Sequence, residues 1–140
     1  MKKNITIIIV LLFSTCLLNA QNTVKIIVNP ANSITSISKV KLSNIFLKKV
    51  TKFDNGVLAV PVDLVGDSPV REVFSNKYLG KSVAAVKNYW NQQLFSGAGV
   101  PPDEKPASSD VINFVKANAG AIGYISSGTD VSGVKVINVQ

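Results

Sequence analysis

The chain has 140 residues, one cysteine and no histidine, and its 15 basic residues outnumber its 8 acidic residues. The absence of histidine excludes Ser-His-Asp and Cys-His catalysis, and it removes the usual ligands of zinc, copper and haem. So few carboxylates, without calcium-loop spacing, also argue against acid–base or calcium chemistry. We therefore predict no catalytic residue, no metal site and no cofactor, and a protein that is not an enzyme.

Residues 1–20 have the pattern of a cleavable signal peptide. Lys2 and Lys3 form a basic start, residues 5–12 are apolar and uncharged, and the small residue Ala20 suits cleavage before Gln21. The apolar run is too short to span a membrane. We expect an exported protein, periplasmic or secreted and soluble after cleavage. Residues 21–140 would form one domain, and loss of the leader lowers the net charge from +7 to +5.

Strand and helix patterns alternate in the first half of this domain. Residues 24–28 are rich in β-branched side chains and predict a strand. Ser38 is a helix N-cap, and an apolar stripe follows it to about Lys48. The apolar run at residues 57–62 predicts a second, buried strand.

The most informative stretch follows that second strand. A turn at Gly66-Asp67 leads to Ser68 as N-cap and Pro69 at the first helical position. A strand that ends in such a turn and opens into a helix directs backbone N–H groups and the positive end of the helix dipole to one point. This geometry binds anions. Every capped helix has such an end, so a purely structural cap is the alternative reading.

The second half predicts two helices and two strands. Ser82 caps a helix whose apolar face includes Trp90, which we expect in the core together with Tyr89. Residues 96–106 contain several glycines and prolines and predict a loop. A short helix from Ser109 and strands at residues 121–125 and 134–138 complete the chain. The predicted fold class is α/β, a small mixed β-sheet flanked by helices.

Three blocks of sequence, in this order, resemble one lobe of the periplasmic substrate-binding proteins of phosphate ABC transporters. Residues 42–56 (LSNIFLKKVTKFDNG) are similar to the family's helix and turn with the pattern IFLGKxxxWx[DN]G. Residues 66–74 (GDSPVREVF) resemble its phosphate loop, DGSGTxxxF, and residues 118–124 (NAGAIGY) resemble its PGAIGY motif. The likeness covers about residues 25–139 and implies one lobe of the type II periplasmic binding fold, a PBP-like domain.

The resemblance also implies a function. The protein would be a non-catalytic solute-binding or accessory protein of phosphate transport, binding phosphate or a similar oxyanion at the N-terminus of the Ser68 helix. The donors would be the Ser68 hydroxyl, the Val70 and Arg71 amides, and the Arg71 side chain. Expected partners are the membrane subunits of an ABC transporter or another periplasmic protein, with no nucleic acid. A homodimer would cover the open face of the single lobe.

The same loop also departs from the family pattern. Pro69 and Val70 stand where the family has glycine and threonine, and the family's phosphate-pairing arginine falls near Leu64. Proline removes one backbone N–H. Arg71 either supplies a replacement charge or is a surface residue paired with a nearby carboxylate. The alternative function is therefore a periplasmic interaction or regulatory module that keeps the fold of the lobe but has lost the ligand site.

Overall fold

The computed structural model describes residues 23–140. The predicted signal peptide lies outside these residues. Among the helices that are described, none is both long enough and apolar enough to cross a membrane.

Six strands form one mixed sheet in the order β2-β6-β1-β5-β3-β4. The strands are β1 (Val24–Val28), β2 (Ser36–Ile37), β3 (Val60–Leu64), β4 (Asp103–Lys105), β5 (Ala121–Ser126) and β6 (Lys135–Val139). β1 runs antiparallel to β5 and β6, whereas β3 is parallel to both β4 and β5. The short strand β2 is parallel to β6. The predicted α/β class with a mixed sheet is confirmed.

Helices follow the strands, and serine side chains cap three of them. The helices are α1 (Lys39–Phe46), α2 (Pro69–Phe74), α3 (Val83–Ser96) and α4 (Ser108–Ala117). As predicted, Ser38, Ser68 and Ser82 are the N-caps of α1, α2 and α3, and each accepts a backbone N–H from the first turn of its helix. α2 continues into a π-helical turn, Ser75–Leu79, which ends at Gly80 with φ +62°.

The core lies between the sheet and the helices and contains an aromatic cluster. Phe74 of α2 stacks on Tyr124 of β5 with ring centroids 3.8 Å apart and planes 3° from parallel, and Phe46 of α1 packs on both rings. Close packing of α4 on the sheet depends on Gly123, where a Cβ atom would lie 2.6 Å from Val111 Cγ1. These contacts fix the position of α2, and therefore of the predicted site, relative to the sheet.

Several elements differ from the sequence prediction. The sequence does not predict β2, α1 ends at Phe46 and not near Lys48, and β6 covers residues 135–139 and not 134–138. β3 covers residues 60–64 and not 57–62, because Leu58 lies outside the sheet core and is 59% exposed. β4 forms inside the segment that was predicted as a loop, where it pairs with β3 at the edge of the sheet. α4 begins at Ser108, one residue earlier than predicted. Trp90 is buried as predicted, whereas Tyr89 is only half-buried and donates its hydroxyl to the Leu47 carbonyl.

Candidate functional site

The N-terminus of α2 lies just beyond the end of β3. Ser68 has an extended backbone, with φ −68° and ψ 125°, and its own N–H donates to the Val65 carbonyl over 3.0 Å. The Arg71 N–H donates to Ser68 Oγ over 3.5 Å, which is long for a hydrogen bond. The Val70 N–H has no acceptor among the described residues, and Pro69 has no N–H to offer. An oxyanion placed here would therefore meet the Ser68 hydroxyl and the Val70 amide.

The Arg71 side chain turns away from this helix end and into the protein, and the residue is only 6% exposed. Its Nη1 atom donates to the Leu64 carbonyl over 2.7 Å and to Glu104 Oε1 over 2.6 Å. Its Nη2 atom lies 3.3 Å from Asp63 Oδ2. The pairing with carboxylates that the sequence left open is thus observed, but the arginine is buried and not at the surface.

Tyr124 completes this buried cluster, which we call the Arg71 cluster (Asp63, Arg71, Glu104 and Tyr124). Its hydroxyl donates to Asp63 Oδ1 and accepts the Leu64 N–H over 3.2 Å. Burial raises the pKa of Asp63, although Arg71 and the Tyr124 hydrogen bond oppose the rise. Burial and the neighbouring Asp63 carboxylate also raise the pKa of Tyr124. Tyr124 therefore stays protonated and acts as the donor.

The positive charge of Arg71 is compensated by carboxylates within the protein. Burial lowers the pKa of Arg71, but Asp63 and Glu104 outweigh burial, so the net direction is upward and the guanidinium stays charged. Two carboxylates surround this one cation, so the cluster offers no surplus positive charge to the end of α2. Its contacts tie α2 to β3 and β4, since Arg71 lies on α2, Asp63 on β3 and Glu104 on β4.

The structure brings together the Ser68 hydroxyl and the backbone amides of the predicted site but places the Arg71 side chain elsewhere. The Ser68 hydroxyl and the Val70 and Arg71 amides lie within one helical turn, as predicted, whereas the Arg71 guanidinium points to Leu64 and the carboxylates. Sequence reasoning missed Asp63 and Glu104 as the partners of this guanidinium, and Tyr124 as the partner of Asp63. The available signal was a carboxylate immediately after an apolar run, a position where an ion needs a partner.

No cluster of histidine, cysteine, aspartate or glutamate within residues 23–140 could hold a metal ion.

No protein-family model and no curated protein matches this sequence. Among solved structures, an ABC-type phosphate transport receptor from Vibrio cholerae matches at a TM-score of 0.66 and 21% identity, over 83% of this chain and 45% of the receptor. A putative phosphate ABC transporter substrate-binding protein from Clostridium perfringens, solved with bound phosphate, matches at 0.64 and 21%, over 83% of this chain and 44% of its own. PstS from Borrelia burgdorferi matches at 0.64 and 15%, over 84% and 47%.

The described fold is therefore that of one lobe of a periplasmic substrate-binding protein, as the sequence blocks predicted. The chain spans less than half the length of each of these structures. The structural similarity establishes the fold. Because the sequence identities are low, it does not establish the ligand, which has to be argued from this chain's own residues.

Proposed function

We propose that this protein is an exported, non-catalytic solute-binding or accessory protein of an ABC transport system, and that it binds phosphate or a similar oxyanion at the N-terminus of α2. The observation that supports this most is the unused donor pair, the Ser68 hydroxyl and the Val70 amide, at the end of a parallel strand. In open α/β sheets, ligands bind beyond the carboxyl ends of the strands. The similar Clostridium perfringens structure contains bound phosphate.

In this proposal the Ser68 hydroxyl and the Val70 and Arg71 amides contact the oxyanion. The Arg71 amide exchanges its long bond to Ser68 Oγ for a charge-assisted bond to the anion. The Arg71 side chain anchors the first turn of α2 to the Leu64 carbonyl and so holds these amides in place. It acts as a positioning residue, because its charge is already paired with Asp63 and Glu104.

A single lobe limits the affinity that such a site can reach. A two-lobed receptor closes around its ligand and removes it from water, which strengthens each hydrogen bond. On one open lobe the anion stays half hydrated, and we expect a dissociation constant in the high micromolar range or weaker. A second copy of the chain, a transporter membrane subunit or another periplasmic protein would increase the affinity by covering this face.

Isothermal titration with phosphate, with sulfate as the comparison anion, tests the proposal. Ser68→Ala removes one ligand donor and the helix cap, and it should weaken phosphate binding. Ser82→Ala is the matched control, because it removes the equivalent cap of α3, where Ser82 accepts the Ala85 N–H, without changing α2. Phosphate binding that is unchanged by Ser68→Ala would overturn the assignment of the site.

A second candidate function, a protein-interaction module, is favoured by an apolar surface at the C-terminal end of α3. Phe95 is 97% exposed, and two apolar residues near it in the chain, Leu94 and Val100, are 50% and 59% exposed. Single exposed apolar residues are common, but a fully exposed phenylalanine next to two others favours a contact surface. Analytical ultracentrifugation of the protein and of Phe95→Ser tests this: absence of phosphate binding together with Phe95-dependent association would favour the second function.

A further inference from the structure

A separate pocket of about 280 Å³ lies beside the Arg71 cluster, between α3 and β4. One side is apolar and is formed by Val83, Trp90 and Leu94 of α3 and by Pro101. This size suits a small organic molecule, and an apolar wall with a few polar groups is the usual form of a ligand site. The lining includes Gly66 and Arg71 from the start of α2, but neither Ser68 nor Val70, the two donors that the α2 site depends on most.

The polar side of the pocket is rich in hydrogen-bond donors without acceptors. Arg71 lines it, and its Nη1 atom has two acceptors while Nη2 has one carboxylate neighbour. The second Nη2 N–H and the Nε N–H of this buried guanidinium therefore have no acceptor within residues 23–140. The indole N–H of Trp90, a residue only 5% exposed, has none either. Asn32 Nδ2 is the one fully enclosed side-chain polar atom without a partner among the described residues, so these Arg71 and Trp90 donors are open to solvent and a ligand that accepts hydrogen bonds can reach them.

The charge at the pocket also favours an anion. Lys87 lines it and forms no ion pair with any described residue. The one carboxylate at the pocket, Glu104, is paired with Arg71 over 2.6 Å, and this pairing offsets its repulsion of a negative ligand. Asn91 adds an amide that can donate. Arg71 is paired with both Asp63 and Glu104, so Lys87 is the one charged side chain of the lining that has no ion-pair partner within residues 23–140.

We propose that this pocket binds a small organic carboxylate with an apolar or aromatic body. The carboxylate accepts hydrogen bonds from Lys87, Arg71 and the Trp90 indole, and the body packs between Trp90, Leu94 and Pro101. Bare phosphate cannot use the apolar wall, so this ligand class differs from that of the α2 site. The inference rests on the pocket alone and does not depend on the proposed phosphate function.

The chain itself provides the probe, because Trp90 is its only tryptophan. A ¹H–¹⁵N spectrum has a single indole N–H resonance, which reports on the pocket directly. We would titrate the protein with 3-phenylpropionate and, as the matched neutral compound, with 3-phenylpropionamide. Saturable movement of the Trp90 indole resonance with the carboxylate, and binding of the amide weakened roughly tenfold or more, is the expected result.

Variants then separate the pocket from the α2 site. Lys87→Ala should weaken the carboxylate roughly tenfold, whereas Lys116→Ala, which removes an equal charge from α4 outside the pocket, should not change it. Leu94→Glu, at a half-exposed position on the pocket wall, should abolish binding by placing a carboxylate there. Ser68→Ala should have no effect on the probe. An indole resonance that does not move, equal binding of acid and amide, or wild-type affinity in Lys87→Ala would each overturn the proposal.

Discussion

Replacing Arg71 by methionine tests the structural account of the Arg71 cluster. Methionine keeps an unbranched apolar side chain of similar reach but removes all the N–H contacts to Leu64, Asp63 and Glu104. Glu104 is about half exposed and can be hydrated again, so its loss of a partner costs little. Asp63 is only 5% exposed, so its charge would be left buried without a cation. Breaking a buried pair in this way costs about 3–5 kcal/mol, a large part of the roughly 5–15 kcal/mol that stabilises a typical domain.

The loss should depend on pH in a defined direction. Burial already raises the pKa of Asp63 from its ordinary value of 3.8, and removal of Arg71 takes away the main influence that lowers it. A carboxyl whose pKa is raised in the folded state holds a proton that the unfolded chain releases. Ionisation of Asp63 therefore lowers the free energy of unfolding as the pH rises from about 3.8 to the pKa of Asp63 in the folded state. Arg71→Met should be most destabilised near neutral pH and less destabilised close to pH 4, because the buried Asp63 carboxyl of the folded variant is neutral there and the same residue in the unfolded chain is only partly ionised.

Urea unfolding followed by circular dichroism, at about pH 4 and about pH 7, measures this difference. The control is the double variant Arg71→Met with Asp63→Asn. It leaves no buried charge, and the side-chain carbonyl at position 63 can still accept the hydrogen bond from the Tyr124 hydroxyl. It should recover most of the stability lost by the single variant near neutral pH. An equal loss at both pH values, or a double variant no more stable than Arg71→Met, would refute the reasoning.

Three further substitutions, and one control variant, test the fold. Lys48 has φ +53°, so Lys48→Gly should raise stability by up to about 1 kcal/mol; a lower melting temperature would contradict this. Gly123→Ala should cost about 1–3 kcal/mol, because the added Cβ would lie 2.6 Å from a Val111 methyl group, and denaturant unfolding as stable as wild type would refute that packing. Phe74→Ala should cost about 3–5 kcal/mol, while the fully exposed Phe95→Ala should stay within about 0.5 kcal/mol; similar losses for both would contradict the assigned core.

The helix starts could be predicted because their signals are local. A serine N-cap acts within three residues of itself, and α1, α2 and α3 all begin directly after such a serine. The α/β class followed from the alternation of these helices with apolar runs. By contrast, β4 consists of Asp103, Glu104 and Lys105, none of them apolar. It is a strand because it pairs with β3 at the sheet edge, and no local pattern encodes that pairing.

The candidate site could be predicted only where local signals define it, at the Ser68 cap and the backbone amides that follow. The positions of Ser68 and of the Val70 amide follow from the cap itself. The direction of the Arg71 side chain depends on Asp63, Glu104 and the Leu64 carbonyl, which the packing of two strands brings to it. The partnership of Asp63 with Tyr124 joins residues 61 positions apart. Such contacts are set by tertiary structure, and sequence spacing does not reveal them.

Titration of the ¹⁵N-labelled protein with phosphate tests the central claim most directly, because it reports on the two amides assigned to the oxyanion. The account predicts that the Val70 and Arg71 amide resonances move saturably with phosphate, that Ser68→Ala weakens this response, and that the Trp90 indole resonance stays in place. Val70 and Arg71 resonances that remain unmoved at millimolar phosphate would show that the end of α2 is a structural cap and not a binding site.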